Sequence, residues 1–276
     1  MNLNSLFITF FLLFLSCQKQ SKAVFDECKN YNLSQPTEIW KLPKQLKEIS
    51  GIVIQNDQKV VCVNDEEGDL FIYDLSTKNI EQTIPFHKKG DYEDIAIKDS
   101  TAFILRSDGT IYEVENYMDG PKIIKHNTFL TKKDNAEGLF LDVSKNRLLV
   151  ACKENSEPEN ESRSVYEFLL KDKHLNPNPI LTITQKELAS KYKLRNLFSP
   201  SGIAIHPITK NIFIISSVGK MVAEFTSEGK LQKVYSLNYS YFQQPEGISF
   251  DEIGNLYISN EAKGGKANIL KFNYLI

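Results

Sequence analysis

Short apolar runs separated by polar turns recur along most of the chain, and their length and flanking turn residues predict strands. "EISGIVIQNDQKVVCVNDEEGDLFIYDL" begins at Glu48, and "YEDIAIKDSTAFILRSDGTIYEVE" begins at Tyr92. "AEGLFLDVSKNRLLVACKEN" follows at Ala136, "PSGIAIHPITKNIFIISSVGKMVAEFT" at Pro200 and "PEGISFDEIGNLYISNEA" at Pro245. In each copy an apolar strand follows a Glu or Ser, a turn built from Asn, Asp, Lys or Gly reverses it, and a second strand ends in a polar cluster. A third strand then starts, as in "GTIYEVE" and "KMVAEFT", and a weaker fourth follows, as in "KNIEQTIPF" and "GKLQKVYSL".

The residues at the head of the five copies are Ser50, Glu93, Glu137, Ser201 and Glu246, separated by 43, 44, 64 and 45 residues. Self-similarity at that period predicts an all-β fold, a β-propeller whose blades are four-stranded antiparallel sheets. Five blades is the direct count. Six is the alternative, because the 64-residue interval holds about 20 residues more than its neighbours. The surplus reads instead as an insertion around residues 154–197. Its polar part, "ENSEPENESR", predicts an exposed loop, and "TITQKELASKYK" has Thr184 with Glu187 three residues on, a capping-box pattern opening a short helix.

The last copy ends at "NILKFNYLI" without a fourth strand, while "TEIWKLPK", upstream of the first copy, has no other partner. That segment is expected to complete the last blade and close the ring. The propeller domain then spans residues 36–276, preceded by a linker at 18–35.

The apolar run from Leu6 to Leu15 is too short to span a bilayer and reads as a signal-peptide core, with Ser16 and Cys17 after it. A small residue before the first Cys resembles the lipobox of bacterial lipoproteins. Residues 1–17 are therefore expected to be a signal ending at a lipidated Cys17, which would hold the protein on the envelope membrane. An ordinary cleaved secretion signal is the alternative. No Lys or Arg precedes the run, and Phe14 stands where Leu is commoner.

A net charge of −2 gives no electrostatic reason to expect a nucleic-acid partner. Cys28, Cys62 and Cys152 form no CxxC and no even disulfide framework, and the four His residues are scattered. His206, in "IAIHP", reads as a turn residue. No nucleophile elbow, P-loop or HExxH pattern is present.

In a propeller the first strand of each blade lines the channel, so Glu93, Glu137 and Glu246 should converge at one mouth of it. Three carboxylates gathered there repel one another unless they are protonated, neutralised or bound to a cation, and calcium suits such oxygen ligands. The competing reading is a salt-bridge network with Arg106 and Lys153, at the second-strand ends in "ILRSD" and "ACKEN". Glu48, Asn64, Asp65, Ser216, Asn260 and Glu261 fall near the same mouth and form a candidate polar cup.

The set "EISGI", "YEDIA", "AEGL", "PSGIAIHP" and "PEGISFDEIGNLYISNE" resembles the SdiA-regulated family of bacterial envelope proteins, over roughly residues 40–276. The likeness implies a propeller of unsettled biochemical role, and a more distant likeness to calcium-dependent propeller lactonases and phytase-like propellers points to calcium. Two functions stay open. One is a monomeric, lipid-anchored binding or scaffolding propeller for a small ligand or an envelope protein. The other is a calcium-dependent hydrolase of lactone or phosphoester substrates.

Overall fold

The computed structural model describes residues 23–56, 58–155, 161–194 and 197–275. Cys17 and the apolar run before it lie outside the described residues, as do positions 156–160 of the expected polar loop. Five antiparallel sheets form blades I to V of a propeller. Their inner strands are Ile49–Asn56, Tyr92–Lys98, Ala136–Asp142, Pro200–Ile205 and Pro245–Phe250. Each inner strand packs beside the next, and the fifth packs beside the first, so the ring is closed. The second strands, Lys59–Asn64, Thr101–Arg106, Arg147–Cys152, Ile212–Ser216 and Leu256–Asn260, run back toward the channel mouth where the inner strands begin.

Closure uses the N-terminal strand. Glu38–Lys41 pairs antiparallel with Asn268–Phe272, from Glu38 opposite Lys271 to Lys41 opposite Asn268, and becomes the outer strand of blade V. Trp40 anchors it: the ring is buried, stacks on Tyr257 at 6.3 Å and donates its indole N–H to Leu75 O at 2.9 Å. This strand thereby ties blade V to blade I.

The cores lie between blades, where alternating strand residues of neighbouring sheets interdigitate. Val61, Ile72, Ile95 and Ile104 fill the space between blades I and II, and Ala204, Phe213, Ile248 and Ile258 fill that between IV and V.

Blade III accommodates the long interval without a sixth sheet. Two short strands, His174–Leu175 and Leu181–Thr184, pair with opposite ends of its third strand, Ser162–Leu169. A helix, Gln185–Tyr192, follows. The expected Thr184 side-chain cap is not formed. Thr184 is held in the ladder opposite Ser162, and the first helical amide, Gln185 N, bonds Glu161 O at 3.2 Å. The helix is fixed instead by Leu188 and Tyr192 in the core and by two hydrogen bonds joining the Gln185 amide to the Phe198 backbone.

Residues 23–35, read as linker, pack against blades IV and V, Tyr31 donating to Gly254 O at 2.7 Å. The backbone N–H of Asp26 bonds Val234 O at 2.9 Å, and its carboxylate accepts from Val234 N and Tyr192 Oη. Among the described residues no helix is long and apolar enough to cross a membrane.

Candidate functional site

Every inner strand opens on the same irregularity. Pairing with the second strand shifts between Ile49 and Ile52, Tyr92 and Asp94, Ala136 and Gly138, Pro200 and Gly202, and Pro245 and Ile248. The Glu or Ser of each motif thus sits in a β-bulge, which frees one residue from the ladder and re-aims its side chain. The glycine after it admits the neighbouring blade. A Cβ on Gly202 would stand 2.4 Å from Glu246 O, and one on Gly247 would stand 2.5 Å from Ser50 O.

Blade II puts Asp94 at that glycine position. Its buried carboxylate accepts from Ile95 N at 2.8 Å and from Leu139 N at 2.7 Å, stitching the inner strands of blades II and III together. Burial raises its pKa well above the usual range against the pull of those two amides. Ser201 plays a similar part, donating to Pro245 O at 2.8 Å. The bulge position therefore has two uses: small or stitching side chains hold the ring, and glutamates face the mouth.

Glu137 and Glu246 are 5% and 8% exposed, and Glu93 is partly buried. Lys153 Nζ lies 2.9 Å from Glu137 Oε1, which also accepts from Asn135 Nδ2 at 2.6 Å. Burial pushes Glu246 up to about 7, with Glu137 adding to the rise and Lys153 opposing it. Glu93 is driven well above the carboxylate range by burial, then by Glu137, Asp91 and Glu246. Glu137 is raised as well, because burial outweighs its bond to Lys153. Burial disfavours charge on Lys153, yet Glu137, Glu246 and Glu93 together hold its pKa above the ordinary lysine value.

Arg106 does not join this group, contrary to the salt-bridge network read from the sequence. Its guanidinium takes Asp108 in a two-pronged bond at 3.0 and 2.6 Å and donates to Tyr112 Oη at 2.9 Å. The turn Ser107–Thr110 supplies a carboxylate within its own blade, a closer partner than any across the channel. Lys220, which the sequence did not single out, serves the mouth in its place. It donates to Gln243 O and lies close enough to Glu246 to lower that group's pKa.

A second carboxylate group forms at the seam between blades V and I. Three backbone bonds assemble it: Asp65 N to Glu48 O at 3.1 Å, Glu261 N to Gln244 O at 3.0 Å, and Ala262 N to Lys47 O at 2.8 Å. Glu48 and Glu261 perturb each other: Glu261 is pushed up to about 8 by burial and then by Glu48, whereas Glu48 is lowered, by Glu261 and by Lys47 at 2.7 Å. Gln244 Nε2 donates to Glu261 Oε2. Asp65 is pushed up to about 6 by burial and by Glu48, Glu66 and Asp91.

Three buried acceptors around the mouth have no donor among the described residues: Asp65 Oδ1 and Asn260 Oδ1, at the second-strand ends of blades I and V, and Gln243 Oε1, just before blade V. Asn260 is fully buried, and its amide N–H is spent on Asn268 Oδ1 at 3.1 Å. Asn64 and Ser216, both expected in the cup, are engaged in hydrogen bonds to backbone groups near them. Asn64 bonds Gln45 O and Glu67 N, and Ser216 Oγ bonds Ser199 N and Val218 O.

Among the described residues no group of three or more His, Cys, Asp or Glu side chains is arranged to hold a metal ion. His206 is a turn residue, as expected. Its Nδ1 accepts from Ile208 N and Thr209 N, both at 3.1 Å, so Nε2 carries the proton and meets Tyr31 Oη at 2.8 Å. Burial lowers its pKa, which keeps the ring neutral. A groove of about 480 Å³ lies beside it at the opposite end of the channel, between blades III, IV and V, away from the carboxylates.

Five closed four-stranded blades with a carboxylate-lined mouth define the chain as a five-bladed β-propeller protein. Residues 34–263 match the SdiA-regulated family, and the chain belongs to it. No curated protein matches the sequence. The fold is similar to a structural-genomics protein of unknown function from Bacteroides thetaiotaomicron, with a TM-score of 0.54 and 14% identity, over 77% of this chain and 52% of that one. It is also similar to a luciferin-regenerating enzyme, with a TM-score of 0.53 and 11% identity, over 87% and 95% of the two chains. A streptogramin B lyase matches with a TM-score of 0.51 and 13% identity, over 86% and 97%. At these identities the likeness is one of fold alone.

Proposed function

We propose that this chain is a binding propeller of the cell envelope whose upper mouth recognises a cationic, donor-rich group on a small ligand or an envelope protein. The observation that carries the reading is the set of buried acceptors without donors around the mouth, Asp65 Oδ1, Asn260 Oδ1 and Gln243 Oε1, with the carboxylates Glu48 and Glu261 close to Asp65. A buried acceptor left without a partner costs about 1–3 kcal/mol, so a ligand that supplies N–H groups recovers that cost on binding. Positive charge on the ligand meets Asp65 and Glu48, and an ammonium or guanidinium fits both requirements.

The test is a thermal-shift and calorimetric titration with arginine, spermidine and an uncharged polyol of similar size. Saturable binding of a cation that is lost in Asp65→Asn supports the reading. Equal binding of the polyol, or binding by none of the three, overturns it. Calcium chloride with a panel of lactones and phosphoesters forms the control: calcium-dependent turnover would establish the hydrolase reading in its place. The envelope location rests on Ser16-Cys17 after a short apolar run. Cys17→Ala should move the protein from the membrane to the soluble fraction, and failure of labelled fatty acid to attach to the native chain would remove the lipid anchor.

A further inference from the structure

The lower face of the propeller, at the opposite end of the channel from the carboxylates, carries three strongly exposed aliphatic side chains. Val143, Ile208 and Ile253 are 72%, 53% and 69% exposed. Each sits in the turn between the inner and second strands of its blade, III, IV and V in order. The matching turn of blade II is Asp99–Ser100, and in blade I the sequence there is Asp57–Gln58, so the apolar tips are confined to three consecutive blades. Val143 lines the groove of about 480 Å³, as do Pro207 and Glu252, the neighbours of the other two tips. The walls of the groove include Phe140, Ile205 and Phe250. Exposed apolar surface of this kind marks contact with a protein or a membrane.

The tips are held in place before any contact is made. Ile208 N donates to His206 Nδ1 at 3.1 Å, His206 Nε2 meets Tyr31 Oη at 2.8 Å, and Tyr31 donates onward to Gly254 O at 2.7 Å. Gly254 has φ +90°, and a Cβ there would stand 3.1 Å from the His206 ring and 3.3 Å from Ile208 Cδ1. The turns of blades IV and V are thereby locked together, with Ile208 in one and Ile253 in the other. In blade III, Val143 opens a short 3-10 turn fixed by Asp142, which accepts from Lys145 N at 3.3 Å and from Arg147 Nε at 3.0 Å.

The chain that precedes the propeller indicates what covers this face. Tyr31 belongs to the segment 23–35, in which Val24 N is already bonded to Tyr192 O at 2.9 Å. Val24 follows Cys17 by seven residues, a span of at most about 25 Å when fully extended. A lipid on Cys17 would therefore keep the propeller against the bilayer rather than on a long tether. That step rests on the reading of Cys17 as the anchor; the apolar tips do not. Charge does not select another partner: the exposed charged groups on the rim of the groove are Lys145, Lys210 and Glu252, close to balance, and Arg147 is spent on Asp142 and Glu167.

We infer that the lower face of blades III to V rests on the bilayer, with Val143, Ile208 and Ile253 entering its interfacial layer and the carboxylate mouth facing away from the membrane. The mouth is then presented to the aqueous side, whatever it binds.

Depth-dependent quenching tests this on the full lipid-bearing chain in vesicles of phosphatidylethanolamine and phosphatidylglycerol. Ile208→Cys, Ile253→Cys and, at the upper turn of blade IV, Val218→Cys each carry a fluorophore, with the unsubstituted chain as background. Nitroxide-labelled lipid should quench the two lower labels at least about two-fold more than the upper one. Equal quenching, or stronger quenching at Val218→Cys, overturns the inference, while attachment of labelled fatty acid to the same protein reports separately on the anchor. A second comparison dispenses with the lipid. At high lipid concentration Cys17→Ala should still float weakly with these vesicles, and adding Val143→Ser, Ile208→Ser and Ile253→Ser should weaken flotation at least about ten-fold. The melting temperature should not change, because all three side chains are exposed. Flotation that the serines leave intact, or no flotation at all, overturns the lower face as a membrane surface. Self-association of the lipid-free chain that the same serines abolish would assign the face to a second copy and also overturn it.

Discussion

Glu246→Gln should stabilise the protein, and the gain should appear only as pH rises. Burial beside Glu137 lifts the carboxyl from 4.5 to about 7 in the folded state. At 1.36 kcal/mol per pH unit, ionising it in the fold costs about 3 kcal/mol relative to the unfolded chain. The sign follows from proton binding. Below pH 4.5 both states hold the proton and the group is neutral in each; between 4.5 and about 7 the unfolded state loses it first, and stability falls; above 7 the loss is complete. Glutamine carries no such cost. The variant should match the native protein near pH 4 and exceed it by about 3 kcal/mol near pH 8, roughly 6–12 °C in melting temperature for a domain of this size. Urea denaturation of both proteins across that range measures the difference directly. Glu246 also helps to raise Glu93 and Glu261, so its removal eases those groups in the same direction and adds to the gain at high pH. A stability difference that does not change with pH, or that favours the native protein at pH 8, would refute the reasoning. A residue retained at such a cost is better explained by binding than by folding.

Two further outcomes follow from the ring itself. Asp94→Asn replaces one of two acceptor oxygens with a donor, leaving either Ile95 N or Leu139 N unmatched, so it should cost about 1–3 kcal/mol and speed hydrogen exchange at Leu139 before exchange in blades IV and V. Unchanged exchange at Leu139 would show that the stitch does not hold blades II and III. Trp40→Ala empties the contact with Tyr257 and leaves Leu75 O without its indole donor, so it should cost about 3–5 kcal/mol by chemical denaturation. Deleting residues 36–45 should cost at least as much by reopening a sheet edge, and an unchanged melt in either would count against closure by the N-terminal strand.

The period of the repeats, the strand pattern and the unpaired "TEIWKLPK" made five blades the direct count, with six the alternative raised by the long interval, and pointed to the strand that closes the ring. These features are local: alternation sets which residues face the inter-blade cores, and a missing strand at one end implies a partner at the other. The head of each repeat likewise marked Glu93, Glu137 and Glu246, because a bulge at a fixed place in every blade leaves the same signature of a polar residue followed by glycine or its substitute. Lys153 was legible for the same reason, as a cation at an equivalent strand end. Arg106 was equally legible at its equivalent strand end, yet it misled, since the turn after its strand offers Asp108 at 2.6 Å and only the folded turn reveals that nearer partner. The capping-box pattern at Thr184 misled in a similar way, because pairing with Ser162 keeps that residue in a strand. The seam cluster was partly visible, in Glu48, Asp65 and Glu261, but its lack of donors was not. Whether a buried oxygen is satisfied depends on groups distant in sequence that the ring brings together, and Gln243, Gln244 and Lys220 have no local signal that separates them from ordinary loop residues. Sequence periodicity determined the scaffold and the positions that face the mouth; only the closed ring decided which charges find each other there, because pairing in a low-dielectric channel depends on distances of a few ångströms that no one blade sets alone.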